Sequence, residues 1–301
     1  MNAASLVRWF DSWAPSPGDE TADPLRTDWV RVLPFVAMHL CCGLVLLTGW
    51  SAASLGVAAA LYAVRMFAIT GFYHRYFSHR TFRTSRAWQF AFALLGATAV
   101  QRGALWWAAH HRAHHSRADR PEDVHSPRHH GFWWAHMGWI TSRANFRTDT
   151  SRVPDLMKFP ELRWLDRFDT AVPLLLAAAL YGLGEAWRDL SPASGTSGFQ
   201  MLAWGFFVST IVLFHATCTI NSLAHRMGSR RYETDDDSRN SLLLALLTFG
   251  EGWHNNHHHY PSAAAQGFRP WEVDLTWYGL RALSSLGVIR ELHPVPEKLR
   301  S

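Results

Sequence analysis

Between Arg31 and Arg65 the chain carries no Asp, Glu, Lys or Arg. No other feature constrains the fold as strongly. An uncharged apolar run of that length has to leave water, either into a core or into a bilayer. It is too long for one membrane helix, which takes about 20 residues. Gly49-Trp50-Ser51 lies near its middle and supplies a turn. The run therefore reads as two antiparallel membrane helices, at 32–49 and 52–72. A second pair follows at 170–186 and 199–220, the former short for a full crossing. Two further apolar runs, 88–100 and 242–250, are too short to cross and read as interfacial or re-entrant helices.

The segments 73–169 and 221–301 are rich in Arg, whereas the two tight connections between paired spans are poor in Lys and Arg. By the positive-inside rule both long segments and both termini are cytoplasmic. Composition agrees with a membrane base under a polar cap. Hydrophobic residues make up 48% of the chain and Trp numbers 16, yet mean hydropathy is only -0.09. The net charge of +5 would also suit a nucleic-acid binder. Its Arg, however, lies between candidate spans, which points to topology and anionic headgroups, and no nucleic-acid partner is expected. Cys41, Cys42 and Cys218 sit in apolar runs and build neither a disulfide framework nor a thiolate metal site. The first 28 residues contain Asp, Glu and Pro and do not form a signal peptide. Arg65, inside the second span, is expected to reach a polar cavity or the interface.

Histidine is concentrated. Three clusters stand out: His74 with His79 directly after the second span; His110, His111, His114 and His115; and His254 with His257, His258 and His259. A looser pair, Asn221 and His225, follows the fourth span. His111, His114 and His115 are at i, i+3 and i+4, so a helix puts them on one face, and His254, His257 and His258 repeat the pattern. His110 and His259 fall off that face. His74 and His79 are five apart and need a bend or a helix end to converge. Imidazole-rich, thiol-free surroundings suit a transition metal rather than calcium or magnesium. Four ligands close a structural zinc site. Nine histidines from four segments exceed one ion's needs and suit two, and an all-imidazole pair is more in keeping with redox iron than with hydrolytic zinc. His39, His129, His130, His136, His215 and His293 read as isolated packed or surface residues.

At these residues the chain resembles the membrane fatty-acid desaturases, in particular the Δ9-type group of stearoyl-CoA and bacterial acyl-lipid desaturases. The family pattern H-x4-H, H-x2-H-H, N-x3-H and H-x2-H-H is matched by HRYFSH at 74–79, HRAHH at 111–115, NSLAH at 221–225 and HNNHH at 254–258. The resemblance runs from about residue 30 to 275. It implies an all-α integral membrane fold: four transmembrane helices and a cytoplasmic helical cap holding a His-box diiron site. The desaturase domain would span 30–275, between cytoplasmic segments 1–29 and 276–301, in the inner membrane of a bacterium. The implied iron ligands are His74, His79, His111, His114, His115, His225, His254, His257 and His258, with Asn221 holding one iron through a water. Which histidine serves which iron stays open.

The implied activity is O2-dependent insertion of a cis double bond into a saturated fatty-acyl chain. Gln101, Trp107 and Thr217 match the residues that shape the family's substrate kink. Trp107 reads equally as an interfacial anchor. Two positions depart from the pattern. Cys218 stands where animal members carry Trp, so the tunnel wall differs. Ala109-His110 replaces the Arg-Asp pair by which CoA-specific members contact their carrier, leaving CoA, lipid and acyl carrier protein open. Only residues 259–301 follow the third box, so electrons are expected from a separate donor, a ferredoxin or a cytochrome b5-like protein with its reductase. Two other readings compete. A diiron lipid hydroxylase would use the same scaffold but carries H-x3-H as its first box. A metal transporter or storage protein would place polar ligands within the spans.

Overall fold

The computed structural model describes residues 3–15 and 25–300; the stretch 16–24 of the N-terminal segment lies outside them. The chain is mostly helical. A short helix α1 (Ala3–Phe10) precedes α2 (Trp29–Thr48) and α3 (Ala52–Ser78), both long and apolar enough to cross a membrane. Only 11% of the apolar window of α2 is buried in the protein, and Leu40, Leu46 and Leu47 point outward, as lipid-facing residues do. The turn between them works as the sequence predicts. Gly49 takes φ +65°, a left-handed value that a side chain resists, and Ser51 and Ser54 form a reciprocal capping box that starts α3.

Helices α4 (Arg86–Ala97) and α5 (Ala104–Arg117) follow in the cap. Next come α6 (Pro160–Arg167) and α7 (Ala171–Leu190), bent by 70°. Helix α8 (Gly198–Ser222) is the third helix that passes as a span by itself. The third expected span, 170–186, corresponds to α7, which meets the same measure only together with α6. Three short helices, α9 (Leu242–Leu247), α10 (His254–His259) and α11 (Leu275–Ser285), complete the cap.

Strict all-α character is not observed. Arg83–Thr84 and Ile289–Arg290 form a two-residue antiparallel ribbon that ties the C-terminal segment beside the first histidine box. The C-terminal segment is docked rather than loose: Thr276 Oγ1 lies 2.6 Å from Thr70 Oγ1 of α3. The main core packs α3, α4 and α5 together through Tyr73, Phe77, Phe92 and Leu105. It forms the floor on which the histidines stand.

Arg65 corrects the expectation made for it. Its side chain reaches neither open cavity nor surface. It is fully buried between α3 and α8 and donates to Leu61 O (3.1 Å), Thr98 O (3.3 Å), Thr210 Oγ1 (2.7 Å) and Ser209 Oγ. Carbonyls and hydroxyls from several segments thereby solvate a cation at membrane depth.

Candidate metal centre

Local winding explains how His74 and His79 meet. From Ala68 to Ser78 the end of α3 is a π-helix, whose i→i+5 bonding stacks residues five apart. The His79 N–H donates to His74 O at 3.2 Å, an i→i+5 bond between the two residues themselves. Helix α5 carries His111, His114 and His115, and α10 carries His254, His257 and His258. His225 lies just beyond the end of α8.

These nine side chains form two groups. His74, His79, His111, His115 and His257 bring ligand nitrogens within 4.8 Å of one another, and so do His114, His225, His254 and His258. Each H-x2-H-H box is therefore split between the two. Facing Nε2 atoms are close: His79 to His111 2.7 Å, His257 to His115 2.9 Å, His74 to His257 3.0 Å and His225 to His254 3.0 Å. Metal–nitrogen bonds near 2.1 Å put adjacent nitrogens roughly 3 Å apart. The donor sets thus fit a metal ion each. His258 Nε2 sharpens the fit, being buried with no hydrogen-bond partner among the described residues.

Four carboxylates stand behind the imidazoles. Asp119 lies 2.7 Å from His225 Nδ1, Asp123 2.9 Å from His114 Nδ1, and Asp236 2.7 Å from His258 Nδ1; Glu251 pairs with His74 Nδ1. An Nδ1–H donated to a carboxylate fixes the tautomer and leaves the Nε2 lone pair facing inward. Burial first, then repulsion from neighbouring imidazoles, holds His79, His111, His115, His254 and His257 well below the usual range and hence neutral. Burial takes His258 to about 4 although Asp236 opposes it. Burial also lowers His114, but Asp123 outweighs it and the net is a rise. Burial would raise Asp119 and Asp236, yet His225 and His258 keep both well below the ordinary carboxylate range. Neutral imidazoles backed by ionised carboxylates are the protonation states that a divalent or trivalent cation requires.

A cavity of about 230 Å³ runs along α2 and α8 and ends at this centre. Val32, Phe35, Met38 and Phe214 make its apolar wall, and Trp107, His111 and Asn221 its inner end. A smaller cavity of about 50 Å³ adjoins it, shares Trp107, His111, Thr217 and Asn221, and touches both histidine groups. Gln101, Trp107 and Thr217 come together on this path. Gln101 Nε2 donates to Thr217 Oγ1 at 3.1 Å, and the Trp107 ring stacks on His111 with centroids 5.0 Å apart. Trp107 is half-buried and faces the cavity.

Other histidines lie elsewhere. His110 is half-buried against Asn145 O and Trp106, and His259 stacks on Tyr232, so neither joins a group. His39, His136 and His215 correct their reading as isolated residues. His39 Nε2 is 3.2 Å from His215 Nε2, His215 Nδ1 is 3.0 Å from His136 Nε2, and His136 Nδ1 is 2.9 Å from Ser222 Oγ. This chain links α2, α8 and the cap. Sequence reasoning missed His125, which lies beside Asp123 and His114 and lines the cavity. It also missed the four carboxylates. Asp236 lies in the acidic run Asp235-Asp236-Asp237 and Glu251 three residues before the third box, which is the local signal the sequence offers for them.

Comparison with known proteins agrees with this geometry. The family model described as fatty acid desaturase matches residues 30–290. The chain is 33% identical over 297 residues to the sn-2 palmitoyl-lipid 9-desaturase of Nostoc sp. (strain 36), covering 95% of this chain and 96% of the relative. It is 34% identical to the sn-1 stearoyl-lipid 9-desaturase of Synechocystis sp., covering 97% and 88%. It is 35% identical to the acyl-CoA C20 Delta5-desaturase of Anemone leveillei, covering 91% and 84%.

Proposed function

The chain belongs to the fatty acid desaturase family, and from that premise we propose that it inserts a cis double bond, at Δ9, into a saturated fatty-acyl chain with O2 as co-substrate. One observation carries the reading: an apolar cavity ends on two adjacent nests of inward-facing imidazoles. His74, His79, His111, His115 and His257 would hold one iron. His114, His225, His254 and His258 would hold the other, with Asn221 beside it through a water. When bound, the two ions supply O2 activation and removal of two hydrogens from adjacent methylenes, with two electrons delivered from outside.

The protein's own residues do the rest. Val32, Phe35, Met38 and Phe214 exclude water from the acyl chain, so hydrogen removal is not diverted into solvent. Gln101 and Thr217, joined by their hydrogen bond, pair with Trp107 to fix the bend of the substrate over His111. Asp119, Asp123, Asp236 and Glu251 hold the imidazoles in orientation. The catalytic domain spans 30–275. The cap and both termini face the cytoplasm, the host membrane is a bacterial inner membrane, and electrons come from a ferredoxin or a cytochrome b5-like protein. The acyl carrier is CoA, a lipid or acyl carrier protein.

Metal analysis of purified protein tests the centre. Wild type is expected to hold about two irons per chain, and His257→Ala and His254→Ala, one from each group, about one each. Full iron content in both variants would remove these histidines from the coordination sphere.

A further inference from the structure

The two histidine groups differ in what stands behind them. Among the five, only His74 turns Nδ1 to a carboxylate of the described residues, Glu251. Among the four, His114, His225 and His258 each do so, to Asp123, Asp119 and Asp236. The side chains of these three aspartates are buried and act only as acceptors. Asp119 takes the Ser126 O–H at 2.6 Å and the Asp237 N–H at 2.8 Å, Asp123 the Asp119 N–H at 3.0 Å, and Asp236 the Ser238 N–H at 2.9 Å. A carboxyl group that only accepts is an ionised one. Asp119 and Asp236 share a cluster with His225 in which all three ligand atoms lie within 4.8 Å. Carboxylates at that spacing repel each other, and no Lys or Arg pairs with Asp119, Asp123 or Asp236 among the described residues. Arg128, on the same side, pairs with Asp237 and is exposed to screening water.

Charge is arranged the other way behind the five. Glu251 is held by the fully buried Arg75 at 3.3 Å, which also pairs with Asp274 at 2.9 Å. Arg112 donates to Phe77 O at 2.7 Å and Ser78 O at 3.1 Å, beside His79, and pairs with Asp155. The single carboxylate of this group thus has its own guanidinium, and four of its five imidazoles have no carboxylate behind them. Neutral donors with little net charge behind them favour the lower oxidation state of a bound iron. Three carboxylates without Lys or Arg favour the higher. Across one imidazole, a unit charge at an effective dielectric of about 20 changes the ferric-to-ferrous ratio by on the order of 10- to 100-fold. The five-histidine group has one more nitrogen, but a neutral ligand contributes to both oxidation states, whereas charge separates them.

We propose that Asp119, Asp123 and Asp236 make the two irons inequivalent: the four-histidine site holds its iron ferric, and the five-histidine site takes the first electron. This rests on the reading of the nine histidines as ligands of two irons. Each step passes one electron from a reductant to one ferric ion and leaves it ferrous, with no bond made or broken. The larger cavity ends at His111, of the five-histidine group, so the iron reduced first is the one that faces the acyl chain.

The test is a potentiometric titration of purified, iron-loaded protein with dithionite, the ferric and ferrous fractions being read by Mössbauer spectroscopy. His257→Ala leaves the four-histidine iron and His254→Ala the five-histidine iron. The midpoint potential is expected to be lower in His257→Ala than in His254→Ala by at least about 59 mV, the one-electron equivalent of a tenfold change. In protein with both irons, Asp236→Asn is expected to raise the lower midpoint by a similar amount, with a smaller change in the upper. Glu251→Gln is expected to raise the upper midpoint, with a smaller change in the lower. Loss of imidazole orientation alone would lower iron content without these signed shifts. A midpoint in His257→Ala equal to or above that in His254→Ala would overturn the proposal, as would an Asp236→Asn shift confined to the upper step. The histidine and carboxylate variants are independent, so either set decides the matter where the other does not fold. Wild-type protein that binds no iron would instead overturn the diiron reading itself.

Discussion

At the scale of single residues, His225, His114, His258 and His74 each turn Nδ1 to a carboxylate supplied by another segment. Regular spacing marks His111, His114 and His115 because helical periodicity is local. The partner of His225 is Asp119, 106 residues earlier, and no local pattern joins them. The same holds for His39 and His215, 176 residues apart, and for the hydroxyls around Arg65. Division of each H-x2-H-H box between two groups also escaped the sequence, since i, i+3 and i+4 place all three on one face without saying which faces which partner. The carboxylates are expected to matter through orientation. Asp236→Asn keeps shape and removes the charge behind His258, and should lower iron affinity or turnover by about 10–100-fold with the fold intact. Iron content and turnover measured beside an unchanged thermal midpoint check this; wild-type values for both would show that Asp236 does not orient its histidine.

Among the elements, the turn at 49–51 and the first two spans follow from the chargeless run and its punctuation. The π-helical end of α3 does not, because amphipathic periodicity is judged against 3.6 residues per turn. The sequence demanded some bend between His74 and His79, and the π segment meets that demand. Helix α7 shows the opposite limit, a span whose apolar run is short by itself and is extended only through the bent α6. Helix α5 depends on a contact from outside itself. Asp166 Oδ1 accepts from the Trp106 N–H at 2.8 Å and caps the helix that carries the second box. Gly103 lets Asp166 approach: a Cβ there would stand 2.4 Å from Asp166 Oδ1 and 2.5 Å from its Cα. Gly103→Ala is therefore expected to push Asp166 away, destabilise the protein by about 1–3 kcal/mol and lower its iron content. Wild-type thermal stability and iron content in this variant would show that the cap is dispensable.

The whole molecule joins a membrane base to a cap whose histidine groups are largely neutral. Acidification should therefore act on stability and metal together. Burial sets His258 and His110 at about 4 and His125 at about 3 in the fold, against about 6.5 in the unfolded chain. Between those values the unfolded state binds more protons, so these three groups make stability rise with pH across roughly 4 to 6.5. Asp119, Asp123 and Asp236, held low, act in the same direction at lower pH; His114, raised, acts against it. The thermal midpoint and bound iron of detergent-purified protein should both fall from pH 6.5 to 4.5. A midpoint constant over that range would contradict neutral burial of these side chains.

The central claim is that this cavity and its nine histidines desaturate an acyl chain. The most direct measurement is the fatty-acid profile of a desaturase-deficient host expressing the chain with a compatible electron donor, by gas chromatography–mass spectrometry with double bonds located by derivatisation. The expected result is new cis-monoenes, unsaturated at Δ9, that disappear in His257→Ala. Hydroxylated chains in their place, or an unchanged profile from protein shown to be expressed and iron-loaded, would contradict the account.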